Sequence, residues 1–222
     1  MEFIPAKESK WFIALFKWYT WFLFKRRFSR VWIRQRYQPE NGQKTVYFLN
    51  HSSWWDGLIP LLLNEFRFHQ QARALMEDRQ MERYRFFRKI GAFSINRDHP
   101  RKAITSLRYA VQSMQRPGAS LFIYPEGEIT PLPDPPQFQG GLAWLHSKVK
   151  SSEVDFVPVA ICIHTIRSDK PELHIEIGEP AVPPCDASNE EKTRFFERRL
   201  GSMLERLRSV AGFEDTGFER FM

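Results

Sequence analysis

Short, continuously apolar runs alternate along the chain with stretches in which apolar residues return every three or four positions. Residues 45–49, 73–76, 92–95, 121–124, 156–163 and 173–177 are short runs of strand length, most of them rich in β-branched or aromatic residues. Most lack polar alternation, which predicts strands buried on both faces. After Pro100, tolerated in a first helical turn, Ala103, Ile104, Leu107, Ala110, Val111 and Met114 mark one helical face until Pro117-Gly118 ends it. Ser188 and Glu191 have capping-box spacing ahead of a stripe of Phe195, Phe196, Leu200, Met203, Leu204 and Leu207. The pattern predicts an α/β fold: a mostly buried mixed sheet flanked by helices, with 173–177 returning antiparallel to 156–163 as an edge hairpin.

The N-terminal segment departs from this alternation. Residues 11–24 form an apolar, aromatic-rich run broken by Lys17, followed by Lys25, Arg26, Arg27, Arg30, Arg34 and Arg36. Fourteen residues fall short of the roughly 20 that span a bilayer as a helix. The expectation is an aromatic, basic, membrane-associating helical segment over residues 1–38, lying in the interface, with the globular domain at 39–222. The competing reading is a helix packed on the body with a solvated basic flank. On the interfacial reading, removing residues 1–36 frees the protein from lipid and leaves a folded core. No secretory signal is evident.

Composition adds direction. The chain of 222 residues has a formal net charge of +7, which favours an anionic partner. Residues 1–40 carry nine Lys/Arg against three Glu, so most of the excess lies beside the aromatic run. That placement favours a membrane surface and speaks against nucleic acid. Cys162 and Cys185 fit neither a disulfide framework nor a metal-ligand spacing.

Three strand ends carry unusual chemistry. In Asn50-His51-Ser52-Ser53-Trp54-Trp55-Asp56-Gly57, an Asp follows a His by five positions. Spacing alone is weak: His164 and Asp169, and His174 and Glu179, share it, and those later pairs read as a turn and an exposed edge strand. His51 differs because it ends a buried strand before small polar residues, where a tight loop can fold Asp56 back onto one imidazole nitrogen. The adjacent serines read as loop formers rather than nucleophiles. In Tyr124-Pro125-Glu126-Gly127-Glu128, a charged residue follows a strand, with Pro to fix the turn and Gly to admit a ligand. In residues 91–97, Arg97 closes a strand and presents a fork of donors suited to phosphate.

Together and in this order, the blocks resemble the glycerolipid acyltransferase family, which includes glycerol-3-phosphate and lysophosphatidic acid acyltransferases. Residues 50–56 look like its N-H-x-x-x-x-D block, 91–97 like its second block ending in Arg, 124–127 like its F-P-E-G block, and Val157-Pro158-Val159-Ala160 like a fourth. The resemblance covers roughly residues 45–165. It implies direct acyl transfer from acyl-CoA or acyl-carrier protein, as cosubstrate rather than bound cofactor, to a hydroxyl of a lipid acceptor. His51 is implied as general base and Asp56 as its orienting partner. It also implies a substrate-binding surface of Arg97, Glu126 and Gly127 together with Asn50, Ser52 and Ser53, and no metal. With the aromatic and basic N-terminal segment, the expectation is a membrane-associated enzyme on the cytoplasmic face, which the likeness would place in phospholipid biosynthesis.

The match departs from the family at three points. Ile129 stands where the family usually has Arg, Glu128 where it has Thr, and Gln139 where it has a second cation. These changes weaken the case for a phosphate dianion and favour a neutral or bulky lipid hydroxyl, such as a glycolipid, a carotenoid glycoside sugar or another lysolipid. The proline-rich residues 131–136 either shape the acceptor pocket or stiffen a surface excursion. A thioesterase using the same His and Asp, and a non-catalytic lipid-binding protein, remain as alternatives.

Overall fold

The computed structural model describes residues 2–130, 134–150, 152–214 and 216–222; the residues of the proline-rich loop at 131–133 lie outside them. The strands are β1 (Arg30–Gln35), β2 (Lys44–Leu49), β3 (Gln71–Glu77), β4 (Ala92–Ile95), β5 (Ala119–Ile123), β6 (Val154–His164), β7 (Glu172–Ile177) and β8 (Glu219–Arg220). The helices are α1 (Lys10–Arg27), α2 (Ile59–Leu63), α3 (Asp78–Arg83), α4 (Pro100–Ser113), α5 (Gly141–Lys148) and α6 (Asn189–Val210). The strands form one sheet in the order β4-β3-β5-β2-β6-β7-β1-β8. From β4 to β6 the strands run parallel, β7 returns antiparallel to β6, β1 pairs parallel with β7, and β8 pairs antiparallel with β1.

The absence of polar alternation in β2 and β5 is explained by two cores. Tyr47 and Leu49 face a cluster with Phe24, Leu58, Leu62, Leu63 and Phe87, while Val46 and Phe48 face Ala110, Met114, Leu142, Phe196 and Leu200. The first layer is thus α1, α2 and their flanking turns, the second α4, α5 and α6. The expected stripe on α6 packs as read, with Phe196, Leu200, Met203, Leu204 and Leu207 buried, and Ser188 and Glu191 form the capping box. On α4, Ile104 is exposed while Ser106 and Ser113 are buried, so the inward face is rotated from the one expected.

The N-terminal expectation needs correction. Residues 10–27 are helical, but Arg30–Gln35 is a strand inside the sheet, with Val31 and Ile33 buried and the polar positions alternating between them. Three of the basic residues read as a membrane flank face carboxylates instead. Arg34 Nη2 lies 2.6 Å and Arg36 Nε 3.5 Å from Glu176, and Arg30 Nη1 lies 3.5 Å from Glu172. Residues ahead of α1 are also tied down: Ile4 N–H donates to Ser94 Oγ at 2.7 Å, and Ser94 N–H to the Ile4 carbonyl at 2.9 Å. Removing residues 1–36 would therefore strip a strand and these ties rather than release a separate appendage.

The hairpin of β6 and β7 forms as expected but does not end the sheet, because β1 and β8 lie beyond it. His174, expected on an exposed edge, is for that reason fully buried. Its Nδ1 lies 3.2 Å from His164 Nε2.

Candidate active site

His51 follows β2, Glu126 follows β5, and Arg97 follows β4, so three chemically unusual residues lie beyond the carboxyl ends of parallel strands, where α/β sheets bind ligands. What shapes the His51 loop is the carboxylate of Asp56. It is fully buried, and a carboxylate removed from water must be met by donors. Ser52 N–H and Ser53 N–H donate to Oδ2 at 2.6 and 2.7 Å, and Ser53 Oγ–H donates to Oδ1 at 2.7 Å. The same Oδ2 stands 3.3 Å from His51 Nδ1. A chain that folds the carboxylate back onto its own amides necessarily brings it to the imidazole.

The loop is then clamped to its neighbours. Glu126 Oε1 accepts from His51 N–H at 2.8 Å, and the His51 carbonyl accepts from Thr130 N–H at 2.7 Å. Asn50 Nδ2 donates to the Ile161 carbonyl at 3.0 Å, and Ile161 N–H donates to Asn50 Oδ1 at 2.7 Å. The Tyr124 hydroxyl donates to the Asp56 carbonyl, and its ring lies 4.5 Å from the imidazole, centroid to centroid. Burial, with a further push from Asp56, holds the Tyr124 phenol well above its ordinary value, so it remains a donor.

These contacts sort the expected residues. His51, Asp56, Glu126, Gly127 and Arg97 come together. Asn50 and Ser53, expected on the substrate surface, are instead engaged in building it, Asn50 against β6 and Ser53 against Asp56; Ser52 contributes its backbone N–H to the same purpose. Gly127 turns back through φ +78°, and a Cβ placed there would stand 3.1 Å from Arg97 Nε, so the guanidinium lies over bare backbone. Arg97 Nη2 pairs with Glu128 Oε2 at 3.2 Å.

The His51 side chain is 20% exposed, and it opens on a cavity of about 980 Å³. Arg97, Gly127, Glu128, Ile129 and Gln139 line one part; Leu58, Leu61, Ala72, Ala74, Met76 and Phe87 give another an apolar wall along β3. The sequence reading missed this wall, and with it Trp54 and Tyr124, which also line the cavity. Tyr124 opens the block at residues 124–127, where nothing in the sequence marks its ring or hydroxyl for the site. The small residues of β3 gave a faint signal, since Ala72 and Ala74 alternate in a strand otherwise built of large side chains.

Among the described residues, the group able to bring three donor atoms to a metal is His164, Glu172 and His174, within 4.8 Å of one another. It lies on β6 and β7 rather than in the His51 loop. Glu172 already receives Trp32 Nε1–H at 3.1 Å and pairs with Arg167.

The family model described as Acyltransferase matches residues 30–162, more than half of the chain, and the chain belongs to that family. No curated protein matches it in sequence. Among solved structures, it is similar to the crystal structure of the 1-acyl-sn-glycerophosphate (LPA) acyltransferase PlsC from Thermotoga maritima. The TM-score is 0.64 at 17% identity, over 89% of this chain and 81% of that one. At that identity the likeness is one of fold. The acyltransferase resemblance carried by the sequence blocks thus agrees with the family model, and the α/β fold it implies agrees with the solved structure.

Burial lifts the Glu126 carboxyl above its ordinary value, against the opposing pull of hydrogen bonds from His51 and Thr130. An acid whose pKa is higher folded than unfolded contributes stability that is complete below its unfolded value and is lost as pH rises through its folded value. Glu126→Gln keeps an acceptor for His51 N–H and removes the ionisation. It is expected to raise the Tm above wild type at about pH 8 and to lose that advantage at about pH 4, as read by thermal unfolding at both pH values. A variant less stable than wild type at the higher pH would contradict this account of Glu126.

Proposed function

We propose that this acyltransferase moves a fatty acyl group from acyl-CoA or acyl-carrier protein to a hydroxyl of a lysophospholipid or other lipid acceptor, with His51 as general base. The observation that carries the reading is the His51 imidazole, 3.3 Å from a buried Asp56 through Nδ1 and open on an apolar-walled cavity. A carboxylate accepts only, so Nδ1 carries the proton and Nε2 is left with its lone pair. An alcohol is ionised to a negligible extent near neutrality, and a base positioned at its proton removes that obstacle as the oxygen attacks. The acceptor O–H bond breaks toward Nε2 while the oxygen adds to the thioester carbonyl. Collapse of the tetrahedral intermediate breaks the C–S bond, and the departing thiolate takes the proton back from the imidazolium. Asp56 stabilises that imidazolium through each turnover. The apolar wall along β3 receives the acyl chain, since burying hydrocarbon is favourable by about 25 cal/mol per Å².

Membrane association on the cytoplasmic face belongs to the same proposal. Trp11, Leu15, Trp18, Tyr19 and Phe22 are each more than half exposed on α1, four of them at spacings of three and four that define one face. Lys25, Arg26 and Arg27 occupy its last turn. No helix among the described residues is long and apolar enough to cross a membrane. An exposed aromatic face with a basic end suits a helix lying in the interface of an anionic leaflet, which brings the catalytic cavity to lipid acceptors without extracting them into water.

His51→Ala is expected to lower the rate of ester formation by about 10²–10⁴-fold with the fold intact, measured as thiol release and as acylated lipid. Acyl transfer undiminished in that variant would refute the assignment of the base, and free fatty acid formed at full rate without an acceptor would turn the reading toward hydrolysis. Trp11→Ser, Leu15→Ser and Phe22→Ser combined are expected to reduce flotation with anionic liposomes by at least about tenfold while the far-ultraviolet circular dichroism of the folded protein is retained. Equal flotation of the two proteins would remove α1 as the docking surface.

A further inference from the structure

The groups at the rim of the cavity are ill matched to a phosphate. Of the four Lys and Arg side chains that line the cavity, Arg73 near the start of β3 and Arg116 ahead of β5 are both paired with Glu8, and Lys10 opens α1; Arg97 follows β4, at the strand ends that carry the His51 loop, and its guanidinium is already paired with Glu128, which lines the cavity beside it. A phosphate dianion seated on Arg97 would meet a carboxylate at the distance of a salt bridge, two like charges competing for one cation. Two further acids, Asp56 and Glu126, lie buried around the imidazole. Position 129 offers isoleucine and position 139 an uncharged amide.

The same groups suit a different headgroup. Each sugar hydroxyl both donates and accepts, and a guanidinium beside a carboxylate offers adjacent donors and acceptors that vicinal hydroxyls can satisfy together. Trp54, 54% exposed and lining the same cavity as His51, presents a flat apolar face of the kind that covers the C–H side of a sugar ring. The Glu128 side chain is 69% exposed, so this recognition lies at the rim and the acyl wall below it is left free.

Resting on the acyl-transfer reading above, we propose that the acceptor hydroxyl belongs to an uncharged sugar headgroup, and that Glu128, paired with Arg97, selects it over phosphate-headed acceptors.

The test offers the full chain myristoyl-CoA with either dodecyl glucoside or lysophosphatidic acid, and quantifies the ester product by mass spectrometry as kcat/KM. The wild type is expected to favour the glucoside by at least about tenfold, because a site built to satisfy hydroxyl groups discriminates against a ligand that leaves them unpaired. Glu128→Gln, an exposed change that spares the fold, is expected to move the ratio toward lysophosphatidic acid by about tenfold, chiefly through a lower KM for the anion. A wild type that prefers lysophosphatidic acid, or a ratio unmoved by Glu128→Gln, overturns the sugar assignment while leaving acyl transfer standing. If neither lipid is esterified, nor any other lipid hydroxyl offered in their place, the transfer reading fails and this proposal with it.

Discussion

A carboxylate fully removed from water has to be surrounded by donors, and at Asp56 the nearest donors are the backbone amides of Ser52 and Ser53 and the hydroxyl of Ser53. Hydrogen bonds to an ionised acceptor are stronger than those between neutral groups, so the loop has little freedom to open. The imidazole of His51 is carried into place by that closure. Its 3.3 Å contact with Oδ2 is long for a charge-assisted bond, as is common in sites without substrate. Around this centre, Asn50 fastens the loop to β6 while Glu126 and Thr130 fasten it to the turn after β5. The base therefore sits on a rigid platform made by three neighbouring parallel strands.

The platform divides the surroundings into two regions. Along β3, alanines open an apolar wall suited to hydrocarbon, whereas beyond the strand ends the Arg97–Glu128 pair and Gln139 form a polar rim, with the Trp54 ring lining the same cavity. An acyl chain and a headgroup make opposite demands on their surroundings, and His51 lies where the two regions meet. The exposed aromatic face of α1 extends the apolar character to the outside of the molecule.

How much of this could be read from sequence depended on the range of the interactions involved. The buried parallel strands and the α6 cap are local patterns and were legible, as was the loop from His51 to Asp56, whose contacts span five residues. β1 was hidden because Arg30, Trp32 and Arg34 look like a basic membrane flank until Glu172 and Glu176, some 140 positions away, supply their partners. The period-two alternation around Val31 and Ile33 was the available signal. Asn50 was misplaced for the same reason, since nothing local marks Ile161 as the partner of its amide. β8, two residues long, had no pattern to read. The cavity wall left only the faint trace of Ala72 and Ala74, because it is defined by what β3 lacks in side-chain volume, not by any reactive group.

The central claim is that Asp56 fixes the protonation and orientation of His51, leaving Nε2 free to take a proton. Nitrogen-15 NMR of histidine-labelled protein reads this directly, with the His51 resonances identified by their loss in His51→Ala. The account predicts a neutral imidazole protonated at Nδ1 and bare at Nε2, with that preference lost in Asp56→Asn. A proton resident on Nε2 in the neutral wild-type ring, or a spectrum indifferent to the loss of the carboxylate, would contradict it.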